Sequence, residues 1–252
     1  MHAGPASVLV VDDEIDTCRN MEDILTEMGY RVAIASDGPA ALELIRKTHF
    51  DIALLDLKMP GMDGLTLYRA IKKLRAGTVA VIVTGYAGND VTAAALLEGA
   101  VGVLPKPVDF GHLMGVIGQA LDQPLALVVD DDEALCRNLW DLLRDRGLRC
   151  CLAHSTAEAR ERLGGRDYSV VLIDMKLPDG DGRHVFQLVK EKNPQARAIG
   201  ITGFRAESES LVEQLVADGV DAVYYKPFDV PALLNTIQRL ASRDRGPETA
   251  GC

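Results

Sequence analysis

The chain has 252 residues, 25% of them charged and 48% hydrophobic, with a formal net charge of −10. That balance describes a folded globular chain, and its acidity excludes the basic stripe that a nucleic-acid surface needs. The start MHAGPAS has neither a basic region nor an apolar core, and no apolar run approaches the ~18 residues of a membrane span, so a cytoplasmic chain with no membrane partner is expected.

Short apolar runs alternate with helical patterns along the first half. SVLVV (7–11) is too short for a helix and rich in Val, so it reads as a buried strand. Ile15, Met21, Ile24, Leu25 and Met28 then share one helical face, closed by Gly29. The expected order continues with strand 31–35, helix 39–47, strand 52–56, helix 64–74 and strand 79–83. Helix 91–99, strand 101–104 and helix 110–121 complete five β-α units. The second half repeats the scheme: strand LALVV, helix 133–146, strand RCCLA, helix 156–163 and strand SVVLI. Helix 182–192, strand ARAIGI, helix 207–218, strand AVYY and helix 229–241 follow. Near-continuous apolar strands separated by helices predict α/β architecture: two tandem five-stranded parallel sheets, each doubly wound. The predicted domains are 7–121 and 125–241, joined by the short linker Asp122-Gln123-Pro124, which restricts their relative orientation. The polar segment 242–252 is expected to be a disordered tail.

The two halves also share their polar residues. VDDEIDTCRN (11–20) and VDDDEALCRN (129–138) agree at six of ten positions at an offset of 130 − 12 = 118. The offset holds at Asp56 and Asp174 (DLKMPGMDG, DMKLPDGDG) and at Thr84 and Thr202, and becomes 226 − 106 = 120 at Lys106 and Lys226. A repeat this long is a whole domain copied, not a solenoid unit. Cys18 and Cys136 fall at equivalent helical positions; five cysteines in all, without zinc spacing, read as small apolar residues.

In an open parallel sheet, ligands bind beyond the carboxyl ends of the strands. There each half gathers an acidic pair (Asp12 and Asp13; Asp130 and Asp131), a strand-three Asp (Asp56; Asp174), a strand-four Thr (Thr84; Thr202) and a Lys (Lys106; Lys226). Three converging carboxylates call for a cation, and Mg²⁺ suits all-oxygen ligands. With a lysine and a hydroxyl beside them, the set fits a phosphoryl group carried on an aspartate. Singly, each residue reads as a cap or a loop residue; five in order, twice over, do not.

On these motifs the sequence resembles the receiver domains of two-component response regulators, over both halves. The resemblance implies a flavodoxin-like fold with Asp56 and Asp174 phosphorylated by a histidine kinase or histidine phosphotransfer protein. It implies Mg²⁺ at Asp12, Asp13 and Asp56 and at Asp130, Asp131 and Asp174, the second acid of each pair being a direct ligand. Thr84 and Thr202 would follow the phosphoryl oxygen, and Lys106 and Lys226 would contact it, each before a proline held in a cis peptide. Gly85 and Gly203, just after the threonines, leave room for the incoming donor.

Departures matter as well. The family often carries an aromatic switch three residues before the lysine, but Val103 and Val223 stand there, and Tyr224 and Tyr225 read as packing residues. A haloacid-dehalogenase-type phosphatase needs an acid two residues after the nucleophile, where Lys58 and Lys176 stand instead; a B12 module needs a DxHxxG loop, which is missing. A non-enzymatic tandem receiver protein that signals through a downstream protein partner is therefore expected. A non-catalytic interaction scaffold, or the receiver portion of a longer kinase or output-domain protein, is the alternative. A homodimer is one assembly open to it. Tyr86 and Phe204, two residues past each threonine, are expected to shield long-lived phosphoaspartates from water.

Overall fold

The computed structural model divides the chain into two compact units, Met1–Gln123 and Pro124–Cys252. It describes residues 5–75, 77–85, 88–203 and 209–242.

The first unit runs β1 (Ser7–Val11), α1 (Ile15–Glu27), β2 (Arg31–Ala35), α2 (Gly38–Lys47) and β3 (Ile52–Asp56). α3 (Gly64–Leu74), β4 (Val79–Thr84), α4 (Asn89–Leu97), β5 (Gly102–Pro105) and α5 (Phe110–Asp122) follow. The strands lie in the order β2-β1-β3-β4-β5, all parallel. β1, β3 and β4 are buried along their whole lengths, which is why their apolar runs do not alternate with polar residues. Alternate residues still serve opposite faces. Leu9, Val11, Ala53 and Leu55 pack with Ile45 of α2 and Leu67 and Ile71 of α3. Val8, Val10, Ile52 and Leu54 pack instead with Cys18 and Leu25 of α1 and Leu113 and Ile117 of α5. The chain direction across the sheet reverses between β1 and β3, so a crevice opens where their carboxyl ends diverge.

The second unit repeats this with β6 (Leu125–Val129), α6 (Glu133–Arg144), β7 (Arg149–Ala153), α7 (Thr156–Leu163) and β8 (Val170–Asp174). A small hairpin follows, β9 (Lys176–Leu177) and β10 (Gly180–Asp181). Then come α8 (Gly182–Lys192), β11 (Arg197–Thr202), α9 (Glu209–Ala217), β12 (Ala222–Tyr225) and α10 (Val230–Ser242). Its parallel sheet has the matching order β7-β6-β8-β11-β12. The doubly wound α/β reading therefore holds in both halves.

Element ends differ from expectation for local reasons. α4 spans 89–97 rather than 91–99, because Gly88 takes the N-cap and Gly99, at φ +96°, turns the chain out of the helix. α6 stops at Arg144 rather than residue 146, and the Leu148 amide donates back to Leu143 O at 3.0 Å. Ser242, expected in the tail, ends α10, while residues 243–252 lie outside the described residues, as do 207 and 208 of the expected helix 207–218.

The β9–β10 hairpin was not expected. Asp179 accepts bonds from Thr156 N (2.7 Å), Thr156 Oγ1 (2.8 Å) and Ala157 N (3.0 Å), which ties the loop after β8 to the start of α7. In the first unit the matching position, 179 − 118 = 61, is Gly61 at φ +77°.

Candidate functional site

The crevice of the first unit collects residues from four strand ends. Asp12 and Asp13 follow β1, Asp56 ends β3, Thr84 ends β4, and Lys106 comes one residue after β5. The Lys106 amide donates to Thr84 O at 2.8 Å, which fixes the base of the lysine beside β4. Its Nζ lies 2.7 Å from Asp12 Oδ2 and 3.3 Å from Asp56 Oδ1. Asp12, Asp56 and Thr84 are buried, whereas Asp13 is exposed. Asp12 uses its other oxygen to accept from the Glu14 amide at 3.0 Å, so its carboxylate is oriented from both sides.

The second unit builds the same constellation. Lys226 Nζ lies 2.7 Å from Asp130 Oδ2 and 2.6 Å from Asp174 Oδ2. The Lys226 amide donates to Thr202 O at 2.8 Å, and Asp130 Oδ1 accepts from the Asp132 amide at 2.9 Å. Asp174 Oδ1 accepts from the Lys176 amide at 2.8 Å, at the start of the unexpected hairpin. Both lysine–proline bonds, Lys106–Pro107 and Lys226–Pro227, are cis, as the resemblance implies.

The electrostatics show what these pockets lack. Burial raises the Asp56 carboxyl above its ordinary range; Lys106 opposes the rise and Asp12 and Asp13 add to it. Burial likewise raises Asp130, against Lys226 and the Asp132 amide. For Lys106, burial disfavours the ammonium, yet Asp12 and Asp56 outweigh it and the net shift is upward; Lys226 behaves the same way between Asp130 and Asp174. In each pocket one ammonium faces three carboxylates, so negative charge is in excess. Carboxylate oxygens of Asp12, Asp13 and Asp56, and of Asp130, Asp131 and Asp174, lie within 4.8 Å of one another. Oxygen donors at that spacing fit a hard divalent cation, which removes the excess.

The cysteines beneath the pockets are packing residues, as expected. Cys18 and Cys136 are fully buried, and their thiols donate weakly to Asp12 O (3.4 Å) and Asp130 O (3.3 Å). Burial pushes their pKa values up to about 11 and about 12, so both stay protonated. Tyr224 is also a packing residue: its hydroxyl meets Ala232 O (3.1 Å) and Thr236 Oγ1 (2.7 Å) on α10. Val103 packs on the core beneath α2 and α3.

Gly64 and Gly182 were passed over in the sequence, although the repeat places both in register (182 − 64 = 118). Each opens a helix just after its Asp cap, and its amide donates to Leu57 O (3.0 Å) or Met175 O (3.1 Å). A Cβ on Gly64 would run into the carbonyl oxygen of Asp56, and one on Gly182 into that of Asp174. These glycines let the helix start press against the backbone of the strand-three aspartates. Gly85 and Gly203 differ: among the described residues a Cβ there meets nothing within 4 Å, and neither glycine has a positive φ. Lys58 and Lys176 are exposed at the rim, while Tyr86 and Phe204 lie outside the described residues.

Known proteins resemble this chain in sequence. The sequence profile of the response regulator receiver domain matches residues 8–118 and 126–238. A response regulator receiver protein of Anaeromyxobacter sp. (strain Fw109-5) is 35% identical over 238 residues, which cover 94% of this chain and 96% of that protein. The transcriptional regulatory protein ZraR of Klebsiella oxytoca is 38% identical over 121 residues, 48% of this chain and 27% of its own length. Among solved structures, a CheY-like receiver domain protein from Methanospirillum hungatei JF-1 shares 34% identity. It covers 47% of this chain and 95% of its own, with a TM-score of 0.45. The chain belongs to the response regulator receiver domain family and carries two such domains, a response regulator of two-component signalling.

Proposed function

We propose that Asp56 and Asp174 are the phosphoacceptors of two receiver domains spanning 7–121 and 125–241. The observation that carries this is the lysine bridge: in each unit one ammonium spans the strand-three aspartate and the first acid of the pair. A carboxylate oxygen attacks phosphorus, the bond from phosphorus to the donor's imidazole nitrogen breaks, and an acyl phosphate forms. Lys106 or Lys226 is then placed to neutralise charge gathering on the phosphoryl oxygens, and Thr84 or Thr202 to donate to one of them. Asp12, Asp13 and Asp56, and Asp130, Asp131 and Asp174, would hold Mg²⁺, which supplies charge neutralisation for the incoming phosphoryl group.

The donor in this reading is a histidine kinase or a histidine phosphotransfer protein, and the output is contact with a downstream protein. Each domain modifies itself and does not turn over an external substrate. No helix among the described residues is long and apolar enough to cross a membrane. The four described cysteines are free and buried, in keeping with a reducing cytoplasm.

Beryllofluoride, which mimics the bound phosphoryl group, tests the reading. With Mg²⁺ the protein should bind two equivalents by ¹⁹F NMR; Asp56→Asn and Asp174→Asn should each bind one. Uptake of two equivalents by either single variant would overturn the assignment.

A further inference from the structure

We propose that Asp179 is a positioning residue for phosphoryl transfer to Asp174: from the tip of the β9–β10 hairpin it holds in place the amide that orients the Asp174 carboxylate. The inference rests on Asp174 being the phosphoacceptor. Asp174 Oδ1 accepts from the Lys176 amide at 2.8 Å, and Oδ2 meets Lys226 Nζ at 2.6 Å, so the carboxylate is fixed from two sides. The lysine is anchored beside β11, but the amide depends on the short hairpin. Lys176 opens β9 and pairs with Asp181, while Leu177 pairs with Gly180. Two residue pairs do not persist on their own, since even a full two-stranded hairpin is marginal in water.

Asp179 supplies the tether. Its Oδ1 accepts from the Thr156 amide at 2.7 Å, and its Oδ2 from Thr156 Oγ1 at 2.8 Å and the Ala157 amide at 3.0 Å. The first amides of a helix have no partner within it. At α7 the N-cap Ser155 takes the Glu158 amide, and Asp179 takes the two that remain at the very start. The helix dipole favours a carboxylate at that end. These bonds, the one from the Thr156 amide foremost, hold the Asp179 carboxyl below its ordinary range, so the tether is charged at neutral pH.

The first domain holds the equivalent loop by other means. At the offset of 118, Thr156, Asp179 and Gly180 correspond to Gly38, Gly61 and Met62. Gly61 has no side chain to accept a bond, and Met62 lies over Gly38, whose Cβ would come 2.6 Å from the Met62 sulphur. In the second domain the sizes are exchanged: Gly180 faces Thr156, whose Cγ2 lies 3.2 Å from where a glycine Cβ would stand. Residues 58–63 form no strand pair like β9–β10. Leu177 and its counterpart Met59 are both buried, so that shared core anchor does not separate the copies. A directional, charged tether in one domain against apolar contact in the other does.

The test follows phosphorylation of the whole chain by acetyl phosphate with Mg²⁺, using peptide mapping to read Asp56 and Asp174 separately. In Asp179→Ala the maximal rate at Asp174 should fall about tenfold, part of what misplaced reacting groups lose, while the half-saturating donor concentration changes by less than about twofold. Asp179→Asn keeps one oxygen for the Thr156 amide and should fall between Ala and wild type. Asp56 should label at the wild-type rate in both variants. In ¹H–¹⁵N spectra the Lys176 amide of Asp179→Ala should shift and exchange faster with water. The inference is overturned by an unchanged maximal rate at Asp174 in Asp179→Ala, by a loss confined to half-saturation, by Asn performing no better than Ala, or by an unmoved Lys176 amide. Failure of the phosphoacceptor reading is distinct: wild type then carries no label at Asp174, and the inference falls with it.

Discussion

The ammonium of Lys226 lies 2.6 Å from a carboxylate oxygen of Asp174, a contact that joins the last strand of the second sheet to its centre. The same ammonium reaches Asp130, so a single side chain compensates two buried acids. In Lys226→Ala those acids face each other without a counterion. The variant should lose about 1–3 kcal/mol, the usual penalty for leaving buried charged groups unsatisfied. Mg²⁺ should restore part of the loss. Urea unfolding with and without Mg²⁺ checks this; equal losses in both conditions contradict a shared role for lysine and metal in balancing the acids.

The Asp56 carboxyl is raised by burial, with Asp12 and Asp13 adding to it. A raised carboxyl stabilises the fold below its unfolded-state pKa, and that contribution is lost as pH rises through the folded-state value. At neutral pH without metal, keeping Asp56 ionised therefore costs stability. Asp56→Asn should raise stability at pH 7 by on the order of 1 kcal/mol, and the gain should shrink towards pH 4. Thermal melts across that range measure it. A destabilised Asn variant at pH 7 contradicts the electrostatic account.

Metal affinity carries a linked pH dependence. Protonation of Asp56 or Asp130 competes with a cation, and both carboxyls are raised. Mg²⁺ affinity should fall with acidification, starting above the ordinary carboxylate range near pH 4. Calorimetric titrations between pH 4.5 and 7.5 should show weakening in both domains. Affinity constant over that range contradicts ligation by these acids.

Gly64 and Gly85 separate packing from access. Gly64→Ala drives a methyl into the Asp56 carbonyl and should cost about 1–3 kcal/mol, as overpacking does. Gly85→Ala meets nothing within 4 Å among the described residues and should change stability by less than about 0.5 kcal/mol. If Gly85 keeps the pocket mouth clear, its alanine variant should slow transfer from a phosphohistidine protein more than from acetyl phosphate. Equal slowing with both donors removes that role.

Much of this fold is legible in the sequence because its strands are buried on both faces. SVLVV and LALVV can only be central parallel strands, and Asp12, Asp56, Thr84 and Lys106 each follow or end such a run. The crevice is thus implied once the strand ends are known. What escaped depends on contacts between distant segments. The β9–β10 hairpin needs Asp179 to reach the start of α7, and periodicity carries no trace of that. The demand on Gly64 arises only when α3 meets the backbone of Asp56.

The central claim is that each domain carries its own phosphoacceptor. Its most direct measurement is intact mass spectrometry of the protein treated with acetyl phosphate and Mg²⁺, followed by chemical trapping of the acyl phosphates and peptide mapping. The account predicts additions at Asp56 and Asp174, one lost in each single Asn variant and both lost in the double variant. Labelling of Asp56→Asn, Asp174→Asn at the wild-type level, or mapping to any other residue, contradicts it.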